Sequence, residues 1–142
     1  MLVEDTKPFV LTSLNLTAST SMTAKLLMDT GASHGLMLEP TSDERIVVPE
    51  NTVSTVIGRG LGGVITGKIG RVKSLTLGNY TLDHILANFP DPNSYMDTLK
   101  STLTFRHGSI GGEILSRFTI IFNFPQGKVF LKKNSEFKKP FY

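Results

Sequence analysis

Leu26-Leu27-Met28-Asp29-Thr30-Gly31-Ala32-Ser33 is the stretch on which the reading of this chain turns. An apolar run delivers a carboxylate, a hydroxyl and a glycine to a point where the chain must bend, which is the pattern of a strand ending in a tight turn. Taken alone, Asp-Thr-Gly is also an ordinary turn, so its meaning depends on the segments around it.

Those segments read as strands. The chain holds 16 threonines and 13 glycines, and its apolar residues come in short β-branched runs without helical spacing. Upstream, Pro8 to Leu16 and Met22 to Met28 are strand candidates; downstream come Leu36-Met37-Leu38, Ile46-Val47-Val48, Val53 to Ile57, Val64 to Leu77 and Thr81 to Phe89. Gly58-Arg59-Gly60-Leu61-Gly62-Gly63 reads as a hairpin tip and Leu77-Gly78-Asn79-Tyr80 as a second turn. A polar excursion runs from Pro90 to about His107 as a loop with room for one helical turn, and His107-Gly108-Ser109-Ile110-Gly111 reads as a turn into the one well-formed helix, Gly112 to Phe118, with Ile114, Leu115 and Phe118 on one face. Thr119 to Phe124 and Lys128 to Leu131 close as a terminal hairpin. With neither a linker nor an internal repeat, the expectation is a mostly β single domain over residues 1–142, or one lobe of a longer two-lobed protein.

Composition narrows the chemistry. With 39% hydrophobic residues the 142-residue chain can bury an ordinary core, and zero cysteines exclude a disulfide framework, thiolate metal sites and a cysteine nucleophile. No apolar run reaches the roughly 18 residues a membrane span needs, and the Met1–Thr6 start is too polar for a signal peptide; the compartment stays open. Two Asn-x-Thr triplets, at Asn15 and Asn79, read as chance matches. The net charge of +3 arises mainly from Lys128, Lys132, Lys133, Lys138 and Lys139. Interrupted by aromatics and lacking a nucleic-acid-binding motif, these lysines read as a solvated edge or tail, and no nucleic-acid partner is expected.

Four other readings fail on chemistry. Gly58-x-Gly60-x-x-Gly63 fits a dinucleotide fingerprint, but Val64-Ile65-Thr66-Gly67 is poor helix material for the phosphate-binding turn. Gly62-x-x-x-x-Gly67-Lys68 mimics a phosphate-binding loop, yet Ile69 stands where a hydroxyl must bind magnesium. His34, His84 and His107 show no metal-ligand spacing, and no G-x-S-x-G elbow occurs. Neither a metal nor a cofactor is expected.

Leu27 to Ser33 resembles the active-site loop of the retropepsin-like aspartic proteases. Ile57-Gly58-Arg59-Gly60-Leu61-Gly62-Gly63-Val64 resembles that family's glycine-rich flap, and Gly108-Ser109-Ile110-Gly111-Gly112-Glu113-Ile114-Leu115 its apolar-apolar-Gly segment opening a helix. The three matches fall in the family's order, and the likeness is greatest to bacterial aspartyl-protease domains. The resemblance implies a closed β-barrel with a flap hairpin and one short C-terminal helix. It also implies an aspartic endopeptidase in which a water is activated between two aspartates, because two close carboxyl groups cannot both ionise and so supply base and acid together.

Only Asp29 lies in an Asp-Thr-Gly setting; Asp5, Asp43, Asp83, Asp91 and Asp97 sit in unrelated contexts. The second carboxylate must come from a homodimer partner, since a two-fold axis sets a residue against its own copy, or from a complementary lobe. The resemblance assigns Asp29, Thr30 and Gly31 to the catalytic loop, with Thr30 bracing it against the other lobe. It assigns Ala32, Gly60, Leu61, Gly62 and Gly63 to contact with a peptide or protein substrate, and it packs Ile110 and Gly111 beneath the loop. A non-catalytic peptide-binding or assembly module that retains the fold is the alternative.

Overall fold

The computed structural model describes residues 1–60, 63–92 and 104–142. Along the chain run β1 (Leu2–Glu4), β2 (Lys7–Asn15), β3 (Ser21–Met28), β4 (Leu36–Leu38), β5 (Val53–Gly60), β6 (Gly63–Leu77), β7 (Tyr80–Pro90), β8 (Gly108–Ile110), α1 (Gly112–Leu115), β9 (Phe118–Asn123) and β10 (Lys128–Lys133).

Six of the strands form a ring. β2 pairs with β3, β3 with β8, β8 with β4, β4 with β7, β7 with β6, and β6 returns to β2 through Ser13↔Thr76, Leu14↔Leu75 and Asn15↔Ser74. Closure leaves few unpaired edges among the described strands, and the ring fits the mostly β architecture that the resemblance implied. Alternation explains how each strand faces the interior: on β3, Met22, Ala24, Leu26 and Met28 are buried while Ser21 and Thr23 are exposed. These side chains meet Leu36 and Leu38 from β4, Val72 and Leu75 from β6, Ile85 and Phe89 from β7, and Ile110 and Ile114 from the C-terminal side. Each fully buried leucine or isoleucine in this cluster contributes about 2–3 kcal/mol.

β6 belongs to two structures. Its first half pairs with β5 as a hairpin, Val53↔Ile69 through Gly60↔Gly63, while its second half closes the ring against β2 and β7. The expected flap hairpin is therefore an outgrowth of a barrel strand. β9 and β10 form a separate two-stranded sheet whose Ile120, Phe122, Val129 and Leu131 pack on the core.

Three sequence expectations need correction. Ile46-Val47-Val48 is not a strand: the Asp43 carboxylate takes the Arg45 N–H, and Ile46 and Val47 donate to the carbonyls of Asp43 and Arg45, so the segment is wound into turns that leave Ile46 as a buried plug. Gly108-Ser109-Ile110 is not a turn but β8, held on one side by β3 and on the other by β4. The helix stops at Leu115, and Phe118 starts β9, because the Arg117 N–H bonds the Ile114 carbonyl in a tighter turn. β1 went unforeseen; a left-handed turn at Asp5 and Thr6, with φ of 48° and 62°, folds it back on β2. Most of the excursion after Pro90, residues 93–103, lies outside the described residues.

Candidate active site

Asp29 is the first residue past β3, and its N–H donates to the Ile110 carbonyl at 2.9 Å, carrying the parallel β3–β8 pairing one residue further. Its Oδ1 accepts the Gly31 N–H at 3.0 Å, an Asx-type contact that turns the chain and fixes one carboxylate oxygen. The other half of the loop rests on the segment that opens α1. Gly112 N–H donates to the Ala32 carbonyl at 2.7 Å, Gly111 N–H to the Gly35 carbonyl at 2.8 Å, and Glu113 N–H to the His34 carbonyl at 3.3 Å.

This interlocking depends on missing side chains. A Cβ on Gly111 would stand 2.2 Å from the His34 carbonyl oxygen, and one on Gly108 would stand 1.9 Å from that of Met37, both well inside contact distance with backbone that cannot swing away. Ile110 itself is fully buried. The expectation that Ile110 and Gly111 pack beneath the loop is met.

Asp29 and Thr30 line an open cleft of about 420 Å³ together with Lys7, Pro8, Phe122 and Phe124. Among the described residues that line it, Asp29 is the only acidic one. Thr30 is exposed, and its hydroxyl bonds to no other described residue. Ala32 is half-buried with its carbonyl committed to Gly112. Gly60 and Gly63 meet as the last pair of the β5–β6 hairpin, and Gly63 is not among the described residues that line this cleft; Leu61 and Gly62 lie outside the described residues. The structure thus brings Asp29, Thr30, Gly31 and Ala32 together, with the flap on a separate hairpin.

Behind the loop lies a polar group that the motifs did not reveal. His34 Nε2 is 2.9 Å from Ser109 Oγ, and burial holds the imidazole below its ordinary pKa, against an opposing attraction from Asp29 and with a smaller push in the same direction from Arg106. Arg106 is itself paired with Glu39 at 3.0 Å. His107 accepts the Lys25 N–H on Nδ1 at 2.9 Å, and burial lowers its pKa too. The only sequence signal for His34 was its place five residues after Asp29. Among the described residues no cluster of His, Asp or Glu is placed to hold a metal ion. No helix among them is long and apolar enough to cross a membrane.

The comparisons with known proteins agree with this geometry. A structure described as a retropepsin-like aspartic protease from Rickettsia conorii superposes with a TM-score of 0.58 at 15% identity, covering 84% of this chain and 87% of that one. The EIAV protease bound to an inhibitor superposes with a TM-score of 0.55 at 16% identity, covering 82% and 91%. At such identities these likenesses concern the fold, and they show it to be retropepsin-like. No curated protein matches the chain in sequence. The aspartyl protease family profile matches residues 17–112, a span that runs from the turn before β3 through the Asp29 loop and the flap hairpin to the first residue of α1. The chain therefore belongs to the aspartyl protease family, and is an aspartic-type peptidase with a retropepsin-like fold.

Proposed function

We propose that Asp29 is one of the two carboxyl groups that activate water for peptide-bond hydrolysis, and that a second copy of the chain supplies the other across a two-fold axis. The observation that carries this is Asp29 as the one acidic group among the described residues lining an open cleft, with one oxygen fixed by Gly31 N–H and the other left for chemistry. One carboxylate cannot both remove a proton from water and donate one to the carbonyl oxygen, whereas a facing pair that shares one proton can. In that step the water oxygen bonds to the carbonyl carbon, its proton passes to the ionised carboxylate, and the protonated one gives its proton to the carbonyl oxygen. Collapse then breaks the C–N bond as the amine takes a proton.

The remaining residues follow. The free Thr30 hydroxyl is available to a neighbouring subunit beside the paired aspartates. Gly31 keeps the loop close to the reacting atoms, and Ala32 keeps its floor small. Gly60, Leu61, Gly62 and Gly63 cover an extended peptide that pairs through its backbone, and the barrel of residues 1–142 acts as one domain.

The test is cleavage of a peptide library by wild type and by Asp29→Asn. The substitution keeps size and hydrogen bonding but removes the ionisable group, so cleavage falls at least about a thousandfold. A variant that cleaves at a rate near that of wild type overturns the assignment.

A further inference from the structure

His34 is not accounted for by the motif or by the proposed chemistry. It sits on the return limb of the Asp29 loop, between the turn and β4, and is held at both its backbone and its ring. Its carbonyl accepts the Glu113 N–H and lies where a side chain on Gly111 would have to go. Its Nε2 reaches Ser109 Oγ at 2.9 Å across 75 residues of sequence. Ser109 is 5% exposed and lies in the middle of β8, paired with Leu27 of β3 and with Met37 of β4. β3 delivers Asp29 to the loop and β4 carries the chain away. The His34–Ser109 bond therefore braces the loop to the strand that joins its two ends.

We propose that His34 is a positioning residue for Asp29, fixing the loop through Ser109 while neutral and bringing a positive charge within electrostatic reach of the carboxylate when protonated. This rests on the reading of Asp29 as catalytic, although the electrostatic half can be measured without catalysis. The charges that act on the ring are Asp29, just past β3, and Arg106, just before β8 and paired with Glu39 beyond β4; Glu113 on α1 meets His34 through its backbone N–H. Of the carboxylates among these, Asp29 is the one whose charge acts on His34, and it is the one assigned to the reaction. Burial disfavours the cation, so the neutral brace prevails around neutral pH and the charge arises only in acid. An imidazolium there favours the ionised form of the carboxyl pair and so carries the active, singly protonated state to lower pH.

Coupling between two sites is reciprocal, so Asp29 must act on His34 as much as His34 acts on Asp29. The full chain contains three histidines, which makes an NMR titration of His34, His84 and His107 tractable. In Asp29→Asn the His34 midpoint moves to lower pH while His84 and His107 stay in place; an unmoved His34 overturns the electrostatic part whether or not the protein cleaves peptides. Kinetics test the brace. Ser109→Ala and His34→Leu lower kcat about tenfold with KM within about twofold. His34→Gln, which can keep the bond but cannot titrate, retains kcat at neutral pH and loses activity earlier as pH falls. If Ser109→Ala and His34→Leu keep wild-type kcat, or His34→Gln keeps the wild-type pH profile, the proposal is wrong. Failure of Asp29→Asn to abolish cleavage is the separate result that would remove the functional reading itself.

Discussion

The Asp29 loop and the C-terminal tail are both irregular segments secured to the same four-residue helix, by opposite means. The loop is clamped at the N-terminal end of α1 by backbone alone, through Gly111, Gly112 and Glu113 N–H groups donating to Gly35, Ala32 and His34 carbonyls. The tail is gathered just past the C-terminal end around one side chain, with Asn134 bonding the Ser116 and Arg117 carbonyls and Arg71 the Phe141 carbonyl beside it. Arg117, 4% exposed, donates from Nε to the Glu113 carbonyl and from its two terminal nitrogens to the carbonyls of Glu136, Lys139 and Pro140, and its guanidinium lies 3.7 Å from the centre of the Phe141 ring. A backbone clamp needs missing side chains and holds a carboxylate in a fixed place. A guanidinium clamp needs one long side chain and holds any backbone that presents carbonyls. Because both converge on α1, the tail is tied through that helix to the Asp29 loop although it is remote from it in sequence.

The largest effect falls on the backbone clamp. Gly111→Ala forces a Cβ into the His34 carbonyl, where neither partner can retreat, and costs about 3–5 kcal/mol, enough to abolish cooperative thermal unfolding in a chain of this size. Circular dichroism melts check this, and a variant with wild-type Tm breaks the account of the clamp.

Arg117→Ala comes next, at about 3 kcal/mol, since it removes the buried donor of the Lys139 and Pro140 carbonyls, takes one of two donors from those of Glu113 and Glu136, and uncovers Phe141. Arg117→Lys recovers only a fraction, because one ammonium cannot reproduce the fork or its stacking on Phe141. Urea unfolding of both variants separates lost charge from lost geometry. If lysine restores full stability, the clamp is a simple charge effect.

Acid sharpens the comparison without mutation. His34 and His107 flank the loop's supporting strand β8, and burial lowers the pKa of each below 6.5, so the unfolded chain binds protons more readily than the folded one. Their contribution is complete above the unfolded value and is lost as pH falls from 6.5 through the lower folded values. Protonation of His107 Nδ1 also removes the acceptor for Lys25 N–H. Arginine does not titrate in this range, so the tail clamp is untouched. Hydrogen exchange at pH 7.5 and pH 5 should show amides of β3 and β8 losing protection before those of β9, and equal losses would count against the distinction.

The smallest effect is a control on arginine itself. Arg45 makes a bidentate contact to Asp43 and holds that carboxyl well below the usual range, but in solvent. Arg45→Ala should move Tm by no more than about 1–2 °C. A shift as large as that of Arg117→Ala would show that burial does not distinguish the two arginines.

What could be read in advance divides along the same line. The backbone clamp left marks in the sequence, because a carboxylate before Thr-Gly and paired glycines before a short helix are residue types that the geometry requires. Strands β3, β6 and β7 were legible from alternation along long runs. β8 was not, because three residues of Gly-Ser-Ile carry no periodicity and owe their strand character to neighbours 70 or more positions away in sequence. Ile46 to Val48 misled for the converse reason: their β-branched composition is overridden by the turn that Asp43 organises. Arg117 and His34 could not be singled out, since a long polar side chain acquires a purpose only from distant partners. The lysines of the tail are exposed, as a solvated edge would be, yet the backbone between them is secured.

The central claim is that each copy contributes one carboxylate to a shared site, and subunit mixing tests it most directly. Wild-type chain at fixed concentration is incubated with increasing Asp29→Asn chain before the peptide is added. If the site is built from two copies, the inactive chain captures wild-type subunits in hybrid dimers and cleavage falls toward zero at about tenfold excess. A cleavage rate unchanged by that excess would contradict it.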